Sequence, residues 1–304
     1  MPYGGNFHIS KALSNYAINY KNTNYILKDF PAIPVKKESD LYYVHTRDFR
    51  IPETYRANKS PSNQKTWAVS TSSYTLTERA LKDLITDRDK ANSDVLQLER
   101  ETTEMLTDDI MRALEFEASS LLFTTTTWAN NASLASTTSW LYHTTTSVPI
   151  QNILSGTSRI IQVAGVRPNT LIMGNRVFDA LKENTAIHER IKYTERSVYT
   201  EQLLSSVFDV DRVIVGFSVY DPNKEGETES VTSIWGDNAL LCYLSPSPSM
   251  RDVSAFKQFE LQGGIKIKRW RDEEYNGDWI EASTMQITKA CATQSAYYFS
   301  SCTS

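Results

Sequence analysis

Apolar positions between residues 94 and 123 return every third or fourth place. Val95, Leu98, Leu106, Ile110, Ala113 or Leu114, and Leu121 line up with charged residues between them, and Asn92-Ser93-Asp94 supplies a cap. This spacing makes one apolar face of a helix, and nearly thirty residues at 1.5 Å each predict a rod of roughly 40 Å. A second patterned region covers 150–245. A helix with Ile150, Ile153, Leu154, Ile160, Ile161 and Ala164 is stopped by Gly165, and a strand follows at "NTLIMG". Next come a helix capped by Asn175, a helix capped by Thr200 and the strand Arg212–Gly216, then a hairpin from "IVGFSVY" to "SIWGDNALLCYL". Pro246 and Pro248 mark its exit. From Ala255 onward the period drops to two in "FKQFEL", "IKIKRWR" and "DWIEASTMQI". Turns at Gly263-Gly264 and Asn276-Gly277 between them predict an antiparallel sheet.

The rest of the chain is less regular. Residues 1–42 hold Tyr, Asn and Lys in weak order with "DFPAIPVKK" at 29–37, the pattern of an arm that docks on something else. Residues 43–80 start strand-like at "YYVHT" and run through a polar stretch with Pro52 and Pro61. Alternation around Trp67, Val69 and Tyr74 predicts a β-ribbon there. Residues 118–158 contain no Asp, Glu, Lys or Arg, and 18 of those 41 are Ser or Thr. With Trp128, Trp140 and Tyr142 among them, the tract is too polar for a membrane and too aromatic for a linker. We expect β structure or a packed loop buried against a partner.

Composition narrows the function. The net charge of −4 argues against tight binding of nucleic acid or an anionic membrane, which calls for a basic stripe. Cys242, Cys291 and Cys302 are odd in number and form no CxxC pair, so they are expected as reduced thiols of a cytoplasmic product. The opening "MPYGGNFHISKALSNY" has no basic region followed by an apolar run, so no secretory signal is expected. No window approaches the about 18 apolar residues of a membrane span.

Motifs for chemistry are missing as well. Neither a phosphate-binding G-x-x-x-x-G-K-[ST] nor G-x-G-x-x-G occurs, nor does the G-x-S-x-G elbow. His8, His45, His143 and His188 are scattered, with no cysteine within four residues of any. "DPNKEG", Asp221–Gly226, resembles the start of a calcium loop. Thr232 stands where that loop needs Glu, so a hairpin turn is expected. His188 and Glu189 are neighbours on a short helix and do not face each other. Alternation places Lys266 and Lys268 of "KIKRW" on one strand face beside Arg269, suited to a phosphate or an acidic neighbour.

The order of elements resembles that of the major capsid protein of tailed phages, the Hong Kong 97 fold, an α+β class. The resemblance is carried by "FPAIPV", "YRANKSPS", "SSYTLTERALKDLITDRDKAN" and "RPNTLIMGNRVFDALKENTAIHERIKYT". It continues through "TEQLLSSVFDVDRVIVGFSVYD" and "SIWGDNALLCYLSPSPS" to the C-terminal "AYYF". It implies an N-terminal arm at 1–42, an extended β-ribbon loop at 43–80, and a spine helix with the first part of a peripheral domain at 81–149. An α/β axial domain at 150–245 and a return to the peripheral sheet at 246–304 complete the layout.

The function implied is self-assembly into pentamers and hexamers of an icosahedral shell around double-stranded DNA, with no enzyme activity, cofactor, metal or membrane. The polar ribbon cannot bury itself, so Tyr55, Lys59, Lys65, Trp67 and Tyr74 are the expected inter-subunit contacts. Partners implied are copies of the chain, a portal, in some members a decoration protein, and a scaffolding protein. The arm begins almost at Met1, so a separate scaffold is expected, not a fused one. The implied location is the virion, after assembly in the host cytoplasm. Some members cross-link a loop lysine to asparagine, here Lys59 or Lys65 with Asn276; non-covalent packing is the alternative. Two other readings remain open: an encapsulin-type compartment shell of the same fold, and a hydrolase using carboxylates such as Asp237 or Glu189.

Overall fold

A computed structural model describes residues 8–9 (backbone only), 25–44, 49–65, 70–92, 98–134, 138–141, 147–191, 200–224 and 226–303. A short helix that the sequence pattern does not predict, Asp87–Asn92 (α1), ends on Asn92, a residue expected in the cap, and the predicted rod appears as the helix Leu98–Leu122 (α2). Val95 and the cap residues Ser93 and Asp94 lie outside the described residues. Leu106, Ile110, Leu114, Ala118 and Leu122 form the buried stripe of α2; Ala113 is exposed, which settles the register on Leu114. The same face buries Thr103 and Thr107. Their hydroxyls donate to the carbonyls of Glu99 and Thr103, both at 2.7 Å, so neither hydroxyl is stranded.

One sheet gathers β1 (His8–Ile9), β2 (Ala32–Val35), β5 (Glu78–Thr86), β12 (Phe256–Leu261), β13 (Lys266–Asp272) and β14 (Gly277–Ala290). Its order is β1-β13-β14-β12-β2, with β5 also on β14. The predicted antiparallel return is observed in β12, β13 and β14, but β2 runs parallel to β12. Strand β5 has no counterpart in the sequence reading. "ERALKDLIT" has helix-favouring residues and no alternation; it is extended because it pairs with β14 from Glu78↔Met285 to Thr86↔Gly277.

A separate two-stranded ribbon joins β3 (Ser39–Val44) to β4 (Ser70–Thr75), from Ser39↔Thr75 to Val44↔Ser70. It therefore begins before residue 43, and 49–65 contains no strand. Pro52 and Pro61 supply no N–H to a ladder, which accounts for the lack of pairing there.

The second sheet has the order β6 (Asn131–Ser133), β15 (Ala296–Ser300), β11 (Ala239–Cys242), β7 (Thr170–Gly174), β8 (Arg212–Gly216). Around it lie α3 (Pro149–Ala164), α4 (Asn175–Glu183), α5 (Thr185–Ile191) and α6 (Glu201–Phe208). Gly165 ends α3 with φ 63°, and the Thr200 side chain accepts from the Leu203 N–H at 3.3 Å, both as predicted. Three expectations need correction. Asn175 is the first helical residue of α4 and makes no cap bond; Gly174 holds the cap position. The hairpin is confined to β9 (Val219–Tyr220) and β10 (Thr232–Ser233), because β8 and β11 flank β7 instead of pairing with each other. The 150–245 boundary also cuts the sheet, since β6 and β15 come from outside it.

Part of the uncharged tract is turned into the subunit's own core. Trp128 is buried, and its indole N–H donates to the Leu122 carbonyl at 2.6 Å. Trp140 is fully buried in the core of the second sheet, and Asn184 clamps the tract by donating to Trp140 O (3.1 Å) and Ser147 Oγ (2.9 Å). Neutral residues suit the buried positions of these segments, where an unpaired charge would be costly. Tyr142 lies outside the described residues.

Candidate functional site

The loop predicted to make contacts splits into a buried base and an exposed tip. At the base Tyr42, Tyr74 and Leu76 join Ile33, Val35, Phe259 and Cys291 in one core cluster. Tyr74 is 2% exposed and stacks on Phe259 at 4.6 Å, and burial pushes its phenol above the ordinary range. It belongs to the subunit's own core, which corrects its assignment as an inter-subunit contact. Tyr55 at the tip is 89% exposed. Lys59 is exposed in the left-handed region at φ 62°, and Lys65 Nζ donates to the Arg50 carbonyl at 3.4 Å. Trp67 lies outside the described residues.

Side-chain bonds to backbone shape the tip in place of a ladder. Asn63 Nδ2 donates to Glu53 O at 2.9 Å, the Tyr55 N–H donates to Glu53 Oε1 at 3.0 Å, and Arg56 donates to Ser60 O. At its start, Phe49 rests on Gly165, where an added Cβ would come within 2.5 Å of the ring.

A buried junction that the sequence reading missed lies on α2. Glu115 is 0% exposed, and its Oε1 accepts from the Trp235 indole, from Ser218 Oγ at 2.8 Å and from the Ile26 N–H at 3.4 Å. Its Oε2 has no partner among the described residues. Desolvation outweighs the three bonds and the nearby Lys28 charge, and raises the carboxyl to about 7. Trp235 is itself enclosed by Phe30 at 6.1 Å and Phe123 at 5.1 Å. It reaches Glu115 across Gly216, where a Cβ would stand 2.0 Å from the indole. The available signal was a single acidic residue beside Leu114 on an otherwise apolar stripe.

The remaining candidates do not converge. Asp237 faces Arg176 at 3.6 Å, while Glu189 and His188 are exposed on α5. Lys268 pairs with Glu281 at 2.8 Å, which realises the acidic-neighbour reading, and Arg269 binds Glu99 at 2.7 Å and Asp278 at 3.0 Å. Asp221–Lys224 and Gly226 lie in the connection between β9 and β10, with Asp221 accepting from the Asn223 N–H at 2.9 Å. Asn276 occupies the exposed turn before β14 at φ 47°. All three cysteines are buried thiols, and burial raises Cys291 to about 12. Among the described residues no three His, Cys, Asp or Glu gather in a metal-binding group. An open cleft of about 450 Å³ lies between Phe30, Asn169, Leu244 and Pro246, and its Asn169 amide is engaged at both ends by Leu244.

No protein-family model matches the chain. Over 264 residues it is 27% identical to the major capsid protein of Burkholderia phage BcepMu, covering 86% of this chain and 83% of that one. A phage-related protein from Bordetella bronchiseptica RB50 has a TM-score of 0.77 at 18% identity over 98% of this chain and 99% of its own. The capsid of cyanophage P-SCSP1u gives 0.60 at 12% identity over 92% and 89%. A virus-like particle from Pyrococcus furiosus gives 0.54 at 10% over 95% and 96%. The chain is a homologue of a phage major capsid protein and has the fold of phage capsid subunits.

Proposed function

We propose that the chain is the structural head subunit of a tailed phage, acting by self-association into an icosahedral shell around double-stranded DNA. The observation that carries this reading is the match to a phage major capsid protein over most of both chains. In this role the residues before Ser39 act as the arm, the ribbon and its 49–65 tip as the extended loop, and α2 as the spine. The sheet around β14 serves as the peripheral domain and the sheet around β7 as the axial wedge. The curated relative is a phage capsid protein, which favours a virion over a cargo compartment. The scattered carboxylates fit a structural role better than a hydrolytic one. A scaffolding protein and portal would be partners, and packing between subunits would be non-covalent.

The test is direct. Purified chain viewed by electron microscopy and sedimented across assembly conditions should give capsomers or closed shells. A well-folded monomer under every condition would refute the proposal. Hydrogen exchange should find 49–65 unprotected in free subunits and protected in particles. Equal protection in both would assign the tip to the subunit's own body.

A further inference from the structure

Two exposed segments of the chain are opposite in charge. Residues 49–65 carry Arg50, Arg56, Lys59 and Lys65 against Glu53. Among the described residues of 217–233, Asp221, Glu227 and Glu229 stand against Lys224. Both segments also expose apolar groups: Ile51 is 94% exposed in the first, and Val231 64% and Val219 47% in the second.

The second segment is a preformed platform. Strands β9 and β10 pair as Thr232↔Tyr220 and Ser233↔Val219. Asp221 accepts from the N–H groups of Asn223 (2.9 Å) and Ser230 (3.3 Å), and Asn223 Nδ2 donates to Thr228 O at 2.6 Å. Tyr220 turns inward, its ring 4.8 Å from that of Phe116 on α2. Val219 and Val231 are both exposed on this hairpin, as are Glu227 and Glu229.

We propose that this hairpin receives the 49–65 loop of a second copy of the chain. Ile51 and Tyr55 cover Val219 and Val231, and Arg56 and Lys59 meet Glu227 and Glu229. The occupant follows from complementarity in both charge and apolar content. An acidic hairpin with exposed apolar side chains is matched by a cationic loop with apolar side chains, and every copy carries both. The inference rests on the reading of the chain as a self-associating subunit, to which it adds where the loop lands.

Charge reversal with rescue tests it. Arg56→Glu with Lys59→Glu, and separately Glu227→Lys with Glu229→Lys, should each lower particle yield about tenfold, and all four together should restore it. These side chains are exposed, so melting of the free subunit should not change. In a second measurement, Lys59→Cys combined with Glu227→Cys should give a ladder of disulfide-linked oligomers in assembled, oxidised particles. The native thiols are buried and do not compete. Full yield from either pair of reversals, loss without rescue, or a bond closing within one chain would overturn the docking proposal while leaving the shell reading intact. A wild-type chain that never associates would overturn the shell reading, and this inference with it.

Discussion

Glu115 holds its carboxyl out of water at the meeting of α2, the segment at Ile26 and the 218–235 region, and that position gives a pH dependence with a definite sign. Its folded value of about 7 lies above the ordinary 4.5, so the folded chain holds a proton that the unfolded chain releases. The associated stability is fully present below the unfolded value and is lost as pH rises through about 7. The shift corresponds to at most about 3 kcal/mol. Glu115→Gln keeps an oxygen for Trp235, Ser218 and Ile26 and places an amide where Oε2 stands. Relative to that variant, the wild type should lose melting temperature between about pH 5 and pH 8. Parallel melting curves across that range would show that Glu115 is ionised throughout.

The two tyrosines of the loop make a paired prediction. Tyr74→Ala removes a ring stacked in the core and should destabilise the free subunit by about 3–5 kcal/mol. Tyr55→Ala removes an exposed ring and should leave the free subunit within about 0.5 kcal/mol while lowering shell yield. Thermal melting of unassembled protein separates them, and equal effects would contradict the base-and-tip division. Sequence alternation could mark Tyr74 as one-sided but not say whose core it enters. Phe259, which covers it, is 185 positions away in the chain.

At the scale of elements, features with local causes were legible and those with distant causes were not. The α2 stripe, the Gly165 stop, the Thr200 cap and the β12–β14 alternation follow from neighbours three, four or two residues apart. Strand β5 is fixed by pairing with β14 some two hundred residues later, so its local composition misleads. Strand β15 sits between β6 and β11, which makes the C-terminus part of the α/β sheet. This alters what can fold alone. An excised 150–245 fragment exposes the edge of β11 that pairs Leu241↔Tyr297 and Leu240↔Tyr298, and it lacks both Phe299 and Trp140 from the core of that sheet. We therefore expect a non-cooperative thermal transition from that fragment. Cooperative unfolding of the fragment would show β15 to be dispensable.

For the whole molecule, charge placement matters more than its sum. The net value is −4, and many of the cations are held by the chain's own acids. Arg271 grips Asp87 at 2.6 Å, Arg269 binds Glu99 and Asp278, Lys268 binds Glu281, and Arg112 binds Asp108 at 2.9 Å. Individual exposed pairs stabilise the fold by no more than about 1 kcal/mol, yet each engages a cation that could otherwise contact phosphate. Arg56 and Lys59 of the 49–65 tip are committed, on the docking proposal, to a neighbouring subunit. Among the described residues these pairings leave no basic stripe of the kind that drives counterion release from a duplex. On the proposed role, a shell built this way would contain DNA without gripping it. Mixed with double-stranded DNA at about 0.15 M salt, the chain should leave the DNA's electrophoretic mobility unchanged, and lowering the salt should produce only weak retardation. Tight retention that falls steeply with salt would reveal a cationic surface outside the described residues, and the passive-container part of the proposed role would have to be abandoned.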